Sequence, residues 1–295
     1  MSADPHDFFA AAPVRPLDPP TPPPMAIRPE PPKPGHRGLV GLTLSVLLAV
    51  VAAVVVHGAR HSAQATVTAD GSSATTHATG GAPPVTATAH PTRLLPAVTA
   101  PAGDGGYATD GDARWDPCQP VRYVVSGAEP FQGANALLTQ ALSEASRASG
   151  LEFDYAGTTT ERAAVDRPSY QPERYGRQWA PVLVAWTDQA AVPALAGNVI
   201  GLGGAASASV HGQWRLVSGI LYFDGPELSL IAQRATGFAQ MRTVMLHEIG
   251  HLVGLGHVQD TTAVMFPSDN AQNDYNAGDL RGLAYAGNGP CSHWH

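Results

Sequence analysis

Short apolar runs and stretches of helical spacing alternate through the second half of the chain. Val121–Val125 and Leu151–Tyr155 read as short strands, and between them Ala134–Ser146 carries Ala and Leu at helical spacing without a proline. Val182–Trp186 (VLVAW) is continuously apolar, the pattern of a strand buried on both faces. Leu216–Phe223 alternates less cleanly and follows a Gly-rich loop from Gly201 to Gly212, so it is expected as an edge strand beside a cleft. Phe238, Met241, Met245, Ile249 and Leu252 recur at helical spacing and give a further helix an apolar face for the sheet. Asn276, three residues before Asp279, reads as the start of a last helix with Asp279 in its first turn.

Upstream the pattern changes. Residues 1–38 contain PLDPPTPPPM and PEPPKPG, which favour polyproline II and cannot bury apolar surface, so this is expected to be a disordered arm. Residues 39–56, LVGLTLSVLLAVVAAVVV, hold no charge and would span about 27 Å as a helix, enough to cross a bilayer. Arg28, Lys33 and Arg37 precede that run and Arg60 alone follows closely, a bias that keeps the N-terminus cytoplasmic and exports the rest. Ala63-Gln64-Ala65 resembles a small-residue cleavage signal, so secretion after cleavage near Ala65 stands as the alternative to a retained anchor. Residues 57–112 are rich in Ala, Thr, Ser, Gly and Pro and are expected as a solvated tether. Residues 113–295 then form one domain large enough for a proper core.

Charge and cysteines narrow the classes. A net charge of −7 with Lys33 as the single lysine offers no basic stripe, which excludes nucleic acid as a partner. Cys118 and Cys291 bracket the domain; in an exported protein they read as one disulfide, and a loop of that length corresponds to about 5 kcal/mol at most in the chain-entropy model. A monomer is expected.

The strongest chemical signal is the run HEIGHLVGLGH, residues 247–257. His247 and His251 are four residues apart, so on a helix they face one way and can hold one ion. Gly254 is suited to end the helix in a left-handed turn and return His257 to the same ion. Three neutral imidazoles leave one position of a tetrahedral zinc open, the mark of a catalytic site, and Glu248 is the natural general base. His211, and His293 and His295 in the terminal SHWH, read as solvated side chains. One catalytic Zn²⁺ is expected; a structural Ca²⁺ or a second Zn²⁺ is left open.

With Met265 following in AVMFP, these residues resemble the metzincin metallopeptidases, and WDPCQPVRYVV, GILYFDGPEL and AGDLRGLAYAG resemble the matrixin branch over about Trp115–Tyr285. The resemblance implies an α+β zincin domain: a twisted mixed sheet, an active-site helix and a C-terminal helix. It also implies that Met265 forms a hydrophobic floor under the imidazoles and that Asp279 supports the Met turn. Phe266 stands where related families carry a tyrosine that reaches the metal, so no fifth protein ligand is implied. The matrixin cysteine-switch motif is missing. The implied activity is hydrolysis of peptide bonds in a peptide or protein substrate laid beside Leu221, Tyr222 and Phe223, with Thr243 and Pro267 lining the pocket for the residue after the scissile bond. Two other readings are a zinc-stabilised surface binding module without turnover, against which the intact Glu248 argues, and a hydrolase of cell-wall peptide cross-bridges, which would suit a tethered domain.

Overall fold

The computed structural model describes residues 82–83, 91–103, 106–268 and 272–292. The proline-rich arm, the apolar run 39–56, most of the tether, His293 and His295 lie outside the described residues. Among the described residues no helix is long and apolar enough to cross a membrane.

The elements run β1 (Ala108–Thr109), β2 (Val121–Ser126), α1 (Ala134–Ser149), β3 (Phe153–Thr158), α2 (Pro172–Tyr175), β4 (Val182–Thr187), a 3₁₀ turn (Pro193–Leu195), β5 (Gly201–Val210), β6 (Gln213–Asp224), α3 (Gly225–Ile231), α4 (Gly237–Val253), β7 (Leu255–Gly256) and α5 (Ala277–Gly287). A five-stranded sheet has the order β3-β2-β4-β6-β5. β3, β2, β4 and β6 are parallel neighbours, while β5 is antiparallel to β6 and forms one edge. This is a mixed α+β arrangement.

The continuous apolar run of β4 has the burial its composition demands. Val182, Val184 and Trp186 join the cluster under α1 and α4, while Leu183 and Ala185 join a smaller cluster with Val124, Val192, Leu195 and Tyr222 on the other face. Helix α4 turns Met241, Met245, Ile249 and Leu252 into the main core. Phe238, expected on the same stripe, is 53% exposed and instead meets Phe131 edge to face.

The structure departs from the sequence expectations at two places that matter for function. β6 is not the edge strand: it lies between β4 and β5, and Leu221 and Tyr222 are fully buried. The Gly-rich stretch 201–212 supplies the edge strand β5 itself, closed onto β6 by a tight turn in which His211 and Gly212 both have positive φ, the requirement of a type I′ hairpin. Its small residues hide its strand character because they carry none of the β-branched bulk that normally signals a strand.

The second departure concerns the tether. From residue 91 the described chain lies against the domain. Arg93 donates to the carbonyls of Gly287 and Gly150, which end α5 and α1, and the Asn288 side chain bonds both the amide and the carbonyl of Val98. β1 pairs with β7. Tyr107 packs against Tyr285 of α5, and hydrogen bonds to helix ends and to one strand add an anchoring that composition does not reveal. Further on, a Cys118–Cys291 disulfide, Cα atoms 5.4 Å apart, closes a span of 173 residues and joins the domain's two ends.

Candidate active site

Helix α4 ends where the site begins. Gly254 has φ 114°, a left-handed conformation that only glycine adopts at little cost, and its amide bonds the carbonyls of Gly250 and His251. The chain then passes through β7 and reaches His257. His247, His251 and His257 come together, with all three Nε2–Nε2 separations at 3.1 Å.

For two of the rings, the hydrogen bonds behind them fix what those nitrogens are. His247 Nδ1 lies 2.6 Å from the Val264 carbonyl and His251 Nδ1 lies 2.8 Å from the Leu255 carbonyl. A carbonyl only accepts, so each Nδ1 carries the proton and each Nε2 presents a lone pair to its neighbours. Such lone pairs repel at this distance unless a cation gathers them. Nitrogens at about 2.0–2.1 Å from a tetrahedral zinc are about 3.3 Å apart, close to the spacing found here. The residues therefore fit zinc.

Charge in the site favours the same outcome at two of the three rings. Burial, then the neighbouring His251, push His247 down to about 4. Burial, His251 and His247 do the same to His257, also to about 4, so both rings are neutral ligands at physiological pH. Burial also opposes charge on His251, but the Asp110 carboxylate, Glu248 and the Leu255 carbonyl outweigh it and hold that ring above its ordinary value.

Behind the ligands lies the Met turn. Met265 is buried and its thioether packs against the α4 backbone at Gly250. The Asp279 carboxylate accepts from the amides of Val264 (2.8 Å), Met265 (3.3 Å) and Asn276 (3.0 Å), completing a capping box at the start of α5. Asp279 thus holds the peptide whose carbonyl orients His247. Burial pushes the Asp279 carboxyl up, and the three amides offset part of that rise. The Val258 amide donates to the Met265 carbonyl and secures the residue after His257.

Glu248 projects into the contact between α4 and β5. Burial pushes its carboxyl up, partly offset by His251 and by the Gly203 amide, which donates to it. A Cβ on Gly203 would lie 2.2 Å from the Glu248 carbonyl, so only glycine lets the edge strand approach this closely. Sequence reasoning passed over Gly203. Its signal was the alternation of Gly201 and Gly203, which places both on one face of a strand.

The residues expected to shape a substrate pocket do not gather in one cleft. Leu221 is in the main core, and Tyr222 is on the opposite face of the sheet with its hydroxyl donating to the Ala164 carbonyl. Both are corrections that follow from the central position of β6. Thr243 sits one turn before His247 but is buried, its hydroxyl bonded to the carbonyls of Ala239 and Gln272, so it ties α4 to the segment beyond the Met turn. Pro267 is exposed just past that turn. Among the described residues His211 belongs to no cluster of ligand-type side chains.

Two further features carried no sequence signal. Asp110 lies 3.6 Å from His251 Nδ1. On the far face of the sheet, Glu161 and Arg167 form a buried ion pair.

No curated protein matches the chain. Among solved structures it is similar to archaemetzincin from Methanopyrus kandleri, at 13% identity over 56% of this chain and 90% of that one, TM-score 0.34. It is likewise similar to a zinc-dependent peptidase from Methanocorpusculum labreanum, at 16% identity over 55% and 98%, TM-score 0.33. A third likeness is to metalloproteinase-II from Bacteroides fragilis, at 13% identity over 64% and 56%, TM-score 0.31. The profile of the matrixin peptidases (peptidase family M10) matches residues 122–284, more than half of the 295 residues. The chain belongs to the matrixin family and is a metzincin-type zinc peptidase.

Proposed function

We propose that the protein is an extracytoplasmic zinc-dependent endopeptidase in which Glu248 is the general base. The observation that carries this reading is the convergence of three Nε2 atoms, two of them fixed as lone pairs by the carbonyls at Nδ1, beside the buried carboxyl of Glu248 on the helix that bears His247 and His251. His247, His251 and His257 would hold a zinc ion, which would supply Lewis-acid polarisation of a carbonyl and acidification of a water. Glu248 takes the proton from the attacking water and returns it to the leaving amine. Burial raises its proton affinity towards the range needed to move a proton both ways near neutral pH, and the Gly203 amide keeps the carboxyl aimed.

The edge of β5 is the natural seat for an extended substrate, since among the described strands β5 pairs only with β6. Recognition then rests mainly on backbone hydrogen bonds. The apolar run Leu39–Val56 supports a membrane anchor with the enzyme outside, the tether giving it reach. The test is to incubate the full-length protein with casein, a peptide library and cell-wall fragments. Chelator-sensitive cleavage restored by zinc is the expected result; zinc bound with no cleavage of any of the three would reject the reading in favour of a binding module.

A further inference from the structure

We propose that Ala108–Asp110, in the stretch whose composition reads as tether, is a working part of the metal site, with Asp110 as a positioning residue for His251. The proposal rests on the zinc reading of the three histidines. Its first support is backbone geometry. β1 pairs antiparallel with β7 in the register Ala108 to Gly256 and Thr109 to Leu255, and the Asp110 amide donates to the Gly254 carbonyl at 3.0 Å. The three residues clamped in this way, Gly254, Leu255 and Gly256, are three of the five that link the ligands His251 and His257. Leu255 is also the residue whose carbonyl takes the His251 Nδ1 proton. A strand added from outside the sequence-defined domain therefore fixes the acceptor that orients a ligand.

The second support is charge. Asp110 Oδ2 lies 3.6 Å from His251 Nδ1, too long for a hydrogen bond but close enough to act as a charge. Its side chain is 53% exposed, so solvent weakens but does not remove the effect. A carboxylate behind a ligating imidazole stabilises the positive charge that the ring gains when it binds an ion and makes the ring a better donor. The approach is to Nδ1, on the opposite side of the ring from the converging Nε2 atoms. With β1 paired to β7, Asp110 is held behind the ligand, on the side of the ring away from Nε2.

Outer partners of metal-bound histidines typically contribute 10- to 100-fold in metal affinity, and a half-exposed carboxylate belongs at the low end. The experiment is competition of the full-length protein against a chromogenic chelator for zinc at neutral pH. Asp110→Asn, which keeps shape and removes charge, should weaken zinc binding by about tenfold. Asp110→Glu should recover most of that loss, and Asp112→Asn, a nearby exposed carboxylate, should bind like the parent. The thermal midpoint of the metal-free Asp110→Asn protein should match that of the metal-free parent, which separates positioning from folding. Unchanged affinity in Asp110→Asn, or an equal loss in Asp112→Asn, would overturn the proposal. Failure of the parent itself to hold zinc would overturn the reading on which it rests.

Discussion

On the outer face of the sheet Arg167 makes five hydrogen bonds, two to the Glu161 carboxylate and one each to the Pro181 carbonyl, the Ser218 hydroxyl and the Gly219 carbonyl. Glu161 is bonded in turn by Gln171 and Tyr175. Burial pushes its carboxyl up, yet the bonds from Arg167, Tyr175 and Gln171 outweigh this and hold it below the usual range. On the helix side of the same sheet the buried groups are arranged the other way. The Nε2 atoms of partly buried His247 and His251 and of exposed His257 face one another, and the buried Glu248 carboxyl is held with its proton affinity raised. Buried polar groups that satisfy one another hold a fold together, whereas groups aimed at one shared point await something from outside. The first region secures the long connection between β3 and β4, and the second carries chemistry.

The comparison can be broken by exchanging the consequences. His251→Ala should have the largest effect, removing zinc and turnover together while leaving a folded domain, as metal analysis and circular dichroism would report. Arg167→Ala should do the opposite. Leaving Glu161 buried and unpaired should lower stability by about 3–5 kcal/mol in a denaturant titration, with the full zinc content kept. Glu161→Gln sharpens the same point through pH. The folded carboxyl titrates below its unfolded value, so its contribution is complete above about pH 4.3 and is lost as pH falls through the folded value. The stability gap between parent and Glu161→Gln should therefore narrow as pH drops below about 4. The smallest effect belongs to Asp279→Ala, which orphans the Val264 and Met265 amides. It should cost about 1–3 kcal/mol of stability and weaken zinc binding through the displaced Val264 carbonyl.

How far each region could be read from sequence follows from the same contrast. The helix bearing His247 and His251 is legible because its apolar side recurs at Met241, Met245, Ile249 and Leu252, and β4 because its run VLVAW has no polar side. The Asn276 and Asp279 pair marks a helix start by local hydrogen bonding alone. The Glu161–Arg167 pair is opaque because its partners are spaced irregularly along the β3–β4 connection, at Gln171, Tyr175 and Pro181, and are completed by Ser218 and Gly219 of β6, so no periodic pattern records their meeting. β5 is opaque for another reason: the strand nearest Glu248 must be small to fit, and small residues look like loop. Taking Leu216–Phe223 for the edge in its place moved Leu221 and Tyr222 from the core to an imagined cleft. Asp110 was hidden by its surroundings, since a tract of Ala, Thr, Gly and Asp gives no sign that two of its residues complete a strand pair.

The claim that Glu248 moves the proton while the three histidines hold the ion is tested most directly by measuring zinc content and peptide turnover on one preparation of Glu248→Ala beside the parent. The account predicts zinc at the parental level with turnover lower by a factor on the order of 10² to 10⁴, the range for a lost general base. Parental turnover, or a folded protein that no longer holds zinc, would contradict it.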